Sequence, residues 1–254
     1  MLLTIDVGNT NITLGLYDGE TLGPRWRLAT AHERMPDEYG LDFHGMLSHA
    51  GYKPDDLTGI CLASVVPPLT SKIVEACRNY LQNDPLVVDT GVKTGVKVRY
   101  EDPKAVGADR IVDAAAVQRL YGGPACVVDF GTATVFDAIS AEGDYLGGAI
   151  APGIGIASAA LFSHGAMLHR VKLERTESAI GRNTTESMQS GIFYGFTELV
   201  SGMVRRFKEE LGDDATVIAT GGYASIIADE AGCFDAMEPD LNLEGLRLVH
   251  EANQ

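Results

Sequence analysis

The sequence lacks the features of a secreted, membrane-spanning or nucleic-acid-binding chain. Four cysteines (Cys61, Cys77, Cys126 and Cys233) are scattered through 254 residues with no Cys-x-x-Cys pair, so neither a disulfide framework nor a zinc ribbon is indicated. Cys61 and Cys126 lie in apolar, strand-like runs, where a thiol serves as a small hydrophobe; a reducing cytoplasm fits this usage. Lysine and arginine total 20 against 35 acidic residues, a net charge of −15, which argues against the basic face that nucleic acid requires. An anionic substrate must then be drawn by a local cluster of donors, against the field of the whole chain. The longest uncharged stretch, Tyr145 to Ser163, is broken by glycines and Pro152, so it reads as a buried turn and helix and not as a membrane span. A strand beginning at residue 2 leaves no room for a signal peptide, and none is expected. The six histidines show no ligand spacing: His164 and His169 are five apart, poor for one helical face.

What remains is an ordinary globular composition, 45% hydrophobic and 22% charged, long enough for one large domain or two of about half its length. The sequence states one pattern twice. Leu3-Thr4-Ile5-Asp6-Val7-Gly8-Asn9-Thr10 and Val127-Val128-Asp129-Phe130-Gly131-Thr132-Ala133-Thr134 each run an apolar strand into Asp-x-Gly, a polar turn and a second apolar run. Glycine at a tight hairpin is expected to take positive φ and to let backbone N–H groups approach phosphate oxygens. Threonine or asparagine beside it adds donors, and the carboxylate serves a cation or its water shell. One Asp-x-Gly is a common hairpin closure. Two copies, each opening a half of the chain with the same strand order, point to a nucleotide triphosphate and its metal.

The first half reads as strands at 2–6, 11–17 and around Trp26-Arg27-Leu28, helices near 36–50 and 68–80, and strands at 58–63, 85–88 and 96–100. A helix from Ala108 to about Leu120 joins the halves, stopped by Gly122-Gly123-Pro124. The second half repeats the order with strands at 125–129, 134–139 and 145–150. Helices near 153–163 and 185–211 follow, then strand 216–219, helix 222–229, a short strand at 235–238 and helix 243–252. The domain boundary is placed at 1–115 and 116–254. Helix 185–211 carries Met188, Ile192, Phe196, Leu199, Met203, Phe207 and Leu211 at steps of four and three, a single apolar stripe. Its Gly191 and Gly195 permit close helix–helix approach, within one core or between subunits.

Two further segments carry chemistry. Val217-Ile218-Ala219-Thr220-Gly221-Gly222 is an apolar strand ending in bare backbone before a helix, a floor for a flat base or ribose. Gly107-Ala108-Asp109-Arg110 stands at a helix start, where free N–H groups favour an anion. Arg110 can hold a carboxylate bidentately, and Asp109 is free to accept a proton from a hydroxyl. The plain alternative makes Asp109 an N-terminal helix residue and Arg110 its surface neighbour. Gly153-Ile154-Gly155-Ile156-Ala157-Ser158 lacks the third glycine of a dinucleotide fingerprint, and Ser64 has no Gly-x-Ser-x-Gly context.

In order, the two hairpins and the Gly221-Gly222 element resemble the phosphate-1, phosphate-2 and adenosine motifs of the actin, hexokinase and Hsp70 superfamily. That resemblance implies an α/β fold of two duplicated ribonuclease-H-like domains with the active site in the cleft between them. Trp26-Arg27, Ser64-Val65-Val66-Pro67, Tyr100, Gly107-Ala108-Asp109-Arg110, Gly147-Gly148, Pro152-Gly153, Gly181-Arg182-Asn183-Thr184 and Gln189-Ser190-Gly191 narrow it. With both hairpins, and over essentially the whole chain, they resemble the type III pantothenate kinases; Asp102 stands where that family commonly has Asn. The resemblance implies phosphorylation of pantothenate by ATP, with Asp109 as general base. ATP would lie against Asp6, Val7, Gly8, Asn9, Thr10, Asn11, Ile12 and Thr13, with Asp6 near Mg2+ and Thr132 on the phosphates. Pantothenate would be held by Tyr100, Gly107, Ala108, Asp109, Arg110 and Thr184. Asp129 would bind a monovalent cation, K+ or NH4+, and the protein would be a cytoplasmic homodimer. A catalytically silent, ATP-binding regulatory relative of the same fold is the alternative. Retention of Asp6, Asp109, Arg110 and Asp129 together favours the enzyme.

Overall fold

The computed structural model describes residues 1–165 and 168–254. The chain divides into two compact units, one of residues 1–119 with 241–254 and one of residues 120–240.

The first unit is built on a five-stranded sheet. Its strands are β1 (Leu2–Val7), β2 (Asn11–Asp18), β3 (Thr21–Ala29), β4 (Gly59–Ser64) and β5 (Leu86–Val87), in the order β3-β2-β1-β4-β5. β1 pairs antiparallel with β2 and parallel with β4. Its helices are α1 (Pro36–His49), α2 (Pro67–Leu81), α3 (Ala108–Leu120) and α7 (Leu241–Ala252). Leu3, Ile5 and Val7 pack with residues of α1 and α2 on one face. Leu2, Cys61 and Ala63 pack with α3 and α7 on the other. Burial on both faces explains why these strands read as unbroken apolar runs and not as alternating ones.

The second unit repeats the plan. Strands β6 (Ala125–Phe130), β7 (Ala133–Ile139), β8 (Tyr145–Pro152), β9 (Thr216–Thr220) and β10 (Ala236–Met237) lie in the order β10-β9-β6-β7-β8. Read from the other edge, this is the first unit's order over again, with β6 between an antiparallel β7 and a parallel β9. The burial patterns of β1 and β6 are identical, each with its aspartate as the one partly exposed residue. Helices α4 (Ile154–His164), α5 (Thr184–Leu211) and α6 (Ala224–Ala231) complete the unit. Ile192, Phe196, Leu199, Met203, Phe207 and Leu211 of the α5 stripe pack into one core cluster with Cys126, Val128 and Phe130. The stripe faces that core, with Ile192 buried in it and the other five partly exposed. Gly191 and Gly195 lie off it, each with open space where a Cβ would stand.

Two expectations are corrected. Residues 96–100 form no strand beyond a single bridge at Val98. Positive φ at Gly91 and Gly95 breaks the extended run that leads into them, and Val96 and Val98 line a cavity instead. The C-terminal helix belongs to the first unit and not the second. Its Leu243, Leu246 and Val249 form a stripe that closes on Leu2, Tyr17 and Val112. Arg247, itself buried, donates to Glu244 and Glu251 on the same helix, and its guanidinium lies 5.8 Å from the centre of the Tyr17 ring.

At the crossing of α7 and α3, a Cβ on Gly245 would collide with the Val112 carbonyl. Gly245→Ala is expected to lower the stability of the protein by about 1–3 kcal/mol through overpacking, despite the better helix propensity of alanine. Denaturant unfolding with unchanged slope checks this; an unaltered midpoint would mean that α7 is not held at this contact.

Candidate active site

In the first unit, β1 and β2 put Asp6 opposite Thr13 and Val7 opposite Ile12. The turn between them is closed by Gly8 N–H donating to the Asn11 carbonyl at 3.0 Å. Asn9, Thr10 and Asn11 are exposed at its tip, and Ile12 anchors it in the core. Gly8 does not take positive φ, contrary to the sequence expectation. Space is tight instead: a Cβ at Gly8 would lie 3.2 Å from the Asn11 carbonyl oxygen. Thr30 braces the hairpin, its hydroxyl donating to the Gly8 carbonyl at 2.6 Å and its N–H to the Thr10 carbonyl at 2.9 Å. Sequence reading missed Thr30, because only the pairing of β3 with β2 brings it there.

The Ser64–Pro67 segment ties this hairpin to the start of α3. Val65 N–H donates to the Val7 carbonyl at 3.1 Å. Thr70 Oγ1 donates to Ser64 Oγ at 2.8 Å, and Ser64 Oγ accepts from Val66 N–H at 3.2 Å. Val65 in turn lies beside Gly107: a Cβ on Gly107 would sit 3.1 Å from Val65 Cγ1 and would collide with Asp109 Oδ1. The Asp109 carboxylate is thus folded back over bare backbone, where it accepts the Arg110 N–H at 2.8 Å. Burial pushes its pKa above the ordinary carboxylate value, and the Arg110 N–H and guanidinium pull it back in part. Asp6, Val7, Val65, Gly107 and Asp109 are in this way linked through successive contacts.

A cavity of about 870 Å³ lies beside Gly107 and Ala108, walled by Ser64, Val65 and the loop that carries Val92, Val96 and Val98. That loop is pinned to the end of α7, where Asn253 accepts from Lys93 N–H and donates to the Lys93 carbonyl. Tyr100 is 40% exposed and outside the cavity lining, as are Asp109 and Arg110.

In the second unit, Asp129 is paired with Val135 on β7 and Thr220 on β9. Gly131, like Gly8, has no positive φ; a Cβ there would lie 3.2 Å from Asp129 Oδ2. Gly221 does take positive φ, +89°, and a Cβ on it would meet Asp129 Oδ1 and the Phe130 backbone. Thr132 is exposed at the hairpin tip. Gly153 backs this tip, since a Cβ on it would collide with the Thr132 carbonyl and lie 2.9 Å from the Gly131 oxygen. Gly222 has open space above it, and Tyr223 N–H donates to the Phe130 carbonyl at 3.3 Å. Thr184 is placed elsewhere in this unit, at the start of α5. There Asn183 caps Glu186 N–H at 2.9 Å and Glu186 accepts Arg182 N–H. With Arg182 and Leu161, Thr184 lines a separate hollow of about 530 Å³.

Among the described residues no group of three or more His, Cys, Asp or Glu side chains could hold a metal ion, and no helix is long and apolar enough to cross a membrane. Burial raises the thiols of Cys61, Cys77 and Cys126 to about 12, which leaves them protonated and unreactive at neutral pH.

Residues 2–206 match the family model described as type III pantothenate kinase. A type III pantothenate kinase of Moorella thermoacetica is 53% identical over 253 residues, covering all of both chains. Among solved structures, a Campylobacter jejuni protein assigned to the Baf family of transcriptional activators superposes with TM-score 0.61 at 20% identity, covering 99% of this chain and 98% of that one. The inorganic polyphosphate/ATP-glucomannokinase of Arthrobacter sp. strain KM superposes with TM-score 0.51 at 13% identity, covering 100% and 99%. At these identities the two structures show the fold alone, a duplicated α/β architecture.

A raised carboxyl pKa has a stability consequence. The folded state holds the Asp109 proton more tightly than the unfolded state, so stability is lost as the pH rises through the ordinary carboxylate value towards the raised one. Asp109→Asn is therefore expected to melt above the wild type at pH 7–8, with the difference closing below about pH 4. Thermal denaturation across pH checks it; a lower melting point at neutral pH would show that the carboxylate stabilises the fold.

Proposed function

The chain belongs to the type III pantothenate kinase family, and from that premise we propose how its residues divide the work. The family's reaction is ATP-dependent phosphorylation of pantothenate to 4′-phosphopantothenate, the first step of coenzyme A biosynthesis. Asp109 is the general base. Its carboxylate takes the proton of the primary hydroxyl as that oxygen attacks the γ-phosphorus and the bond to the bridging oxygen of ADP breaks. The observation that carries this reading is the carboxylate folded back over Gly107, with burial raising its pKa. A more basic carboxylate is a better proton acceptor.

Arg110 is suited to the carboxylate of pantothenate by its planar, bidentate donors. Tyr100, Gly107, Ala108 and Thr184 complete the substrate contacts. Asp6 to Thr13 and Thr132 hold the ATP phosphates, the exposed hairpin tips offering N–H, hydroxyl and amide donors. One carboxylate at the hairpin base fits Mg2+, an ion commonly held by one or two carboxylates together with substrate phosphates. When bound, Mg2+ neutralises charge that develops on the phosphates. Asp129, bordered by the bare Cα atoms of Gly131 and Gly221, fits a monovalent cation, K+ or NH4+, and the cation would add to that neutralisation. The functional domains we assign are the two repeats, with α7 joined to the first, and the compartment is the cytoplasm.

A homodimer is supported by two features of the second unit. α4 is almost wholly apolar yet buries only Ile154, leaving Ile156 and Leu161 exposed. Gly191, Gly195 and Gly202 leave open space along α5, which allows a helix of a second copy to approach closely. Gly195→Arg is expected to halve the mass measured by light scattering; an unchanged dimer would place the interface elsewhere.

The activity test is phosphorylation of pantothenate by ATP with and without K+. Wild type should turn over, with kcat/KM rising through an acid limb above the ordinary carboxylate range, since the base must be ionised. Asp109→Asn should lose about 100-fold or more in kcat while remaining folded. Absence of wild-type turnover would sink the kinase reading; full activity in Asp109→Asn would remove Asp109 as base.

A further inference from the structure

The two units repeat one strand order, so residues of the first hairpin have counterparts in the second, and a departure between counterparts needs a reason. Asp6 and Asp129 hold the same strand position. On the parallel neighbour, Asp6 is paired with Ala63 and Asp129 with Thr220. Paired residues project from the same face of a sheet. Thr220 therefore stands beside Asp129 on its own face, where the first unit has only a methyl group.

Thr220 is 1% exposed, and its Oγ1 has no hydrogen-bonding partner among the described residues. A buried hydroxyl without a partner is unfavourable, and valine would fill the same space without that penalty. Sheet packing thus gives no reason for a hydroxyl at this position. The next residue, Gly221, brings its bare Cα against Asp129 Oδ1, and Gly131 does the same near Oδ2. The surroundings of the carboxylate combine open backbone with one unsatisfied neutral oxygen.

We propose that the Thr220 hydroxyl is an oxygen ligand of the monovalent cation at Asp129, an inference that rests on reading Asp129 as the cation site. Hard cations take carboxylate, carbonyl, hydroxyl and water oxygens. One carboxylate neutralises a singly charged ion, so the remaining ligands must be neutral, and threonine offers lone pairs without charge. Thr134 provides an internal control. It too is fully buried with an unpartnered hydroxyl, but it is paired with Phe130 and so projects from the face opposite to Asp129.

The test is thermal denaturation of the whole protein with Mg2+ and a non-hydrolysable ATP analogue, titrated with KCl against choline chloride at constant ionic strength. Wild type should gain melting temperature with K+, and Asp129→Asn should not. Thr220→Val should need about tenfold more K+, or more, for the same gain, while melting no lower than wild type in choline. Thr220→Ser should restore the wild-type midpoint, and Thr134→Val should keep it. If Thr220→Val does not fold, Thr220→Ala replaces it. An unchanged K+ midpoint in the folded variant, with a normal wild-type response, would overturn the role of Thr220 and leave Asp129 as the cation site. No K+ response in wild type, in melting or in turnover, would overturn both.

Discussion

Each unit sets a carboxylate against glycine Cα atoms, where a Cβ would crowd it. Asp109 Oδ1 covers Gly107, and the two oxygens of Asp129 face Gly221 and Gly131. Such contacts fix a charged group by the path of the backbone, which is stiffer than a side-chain rotamer. The backbone is braced in turn: Thr30 holds the first hairpin from β3, Val65 joins it to Gly107, and Gly153 backs the second hairpin. Glycine costs conformational entropy on folding. Here that cost opens the space that the carboxylates occupy.

Much of this was legible in the sequence, because the decisive signals are local. The doubled Asp-x-Gly hairpins, the helix beginning at Ala108 and the bare Gly221-Gly222 turn all lie where apolar runs and turn residues placed them. The reason for the glycines was not legible. Positive φ and close approach leave the same letter in a sequence, and at Gly8 and Gly131 φ is not positive and the space for a Cβ is tight. Long-range partners were equally hidden. The stripe on α7 declares an amphipathic helix but does not say which sheet it covers, and nothing near Thr30 points to the Gly8 carbonyl. Val96–Tyr100 alternates like a strand, yet two of its valines line a cavity, a use with the same periodicity as pairing.

The duplication is complete in topology and broken in chemistry. In each unit the first strand carries an aspartate at the same position with one threonine paired to it on the same face. For Asp6 that threonine is Thr13, on the antiparallel neighbour within the hairpin; for Asp129 it is Thr220, on the parallel neighbour beyond it. The other partner is apolar in each case, Ala63 and Val135 respectively. One hydroxyl has therefore exchanged sides. In the first unit it is half-buried, within the stretch assigned to the ATP phosphates. In the second it is sealed off beside the carboxylate, a position suited to a small ion and closed to a phosphate group.

Burial acts in the same direction on Asp109 and on the cysteines, with opposite chemical results. Desolvation disfavours the ionised form of either group. For Cys61, on the same strand as Ser64, the thiol is driven to about 12 and is removed from any chemistry at neutral pH. A carboxyl starts several units lower, and the Arg110 N–H and guanidinium offset part of its rise. What remains is a carboxyl group of increased basicity held against bare backbone. The rise in basicity and the loss of folding stability at neutral pH are one free energy read in two ways. A base made stronger by burial alone cannot be kept without that destabilisation, so the fold must supply it from elsewhere, here from a sheet packed on both faces.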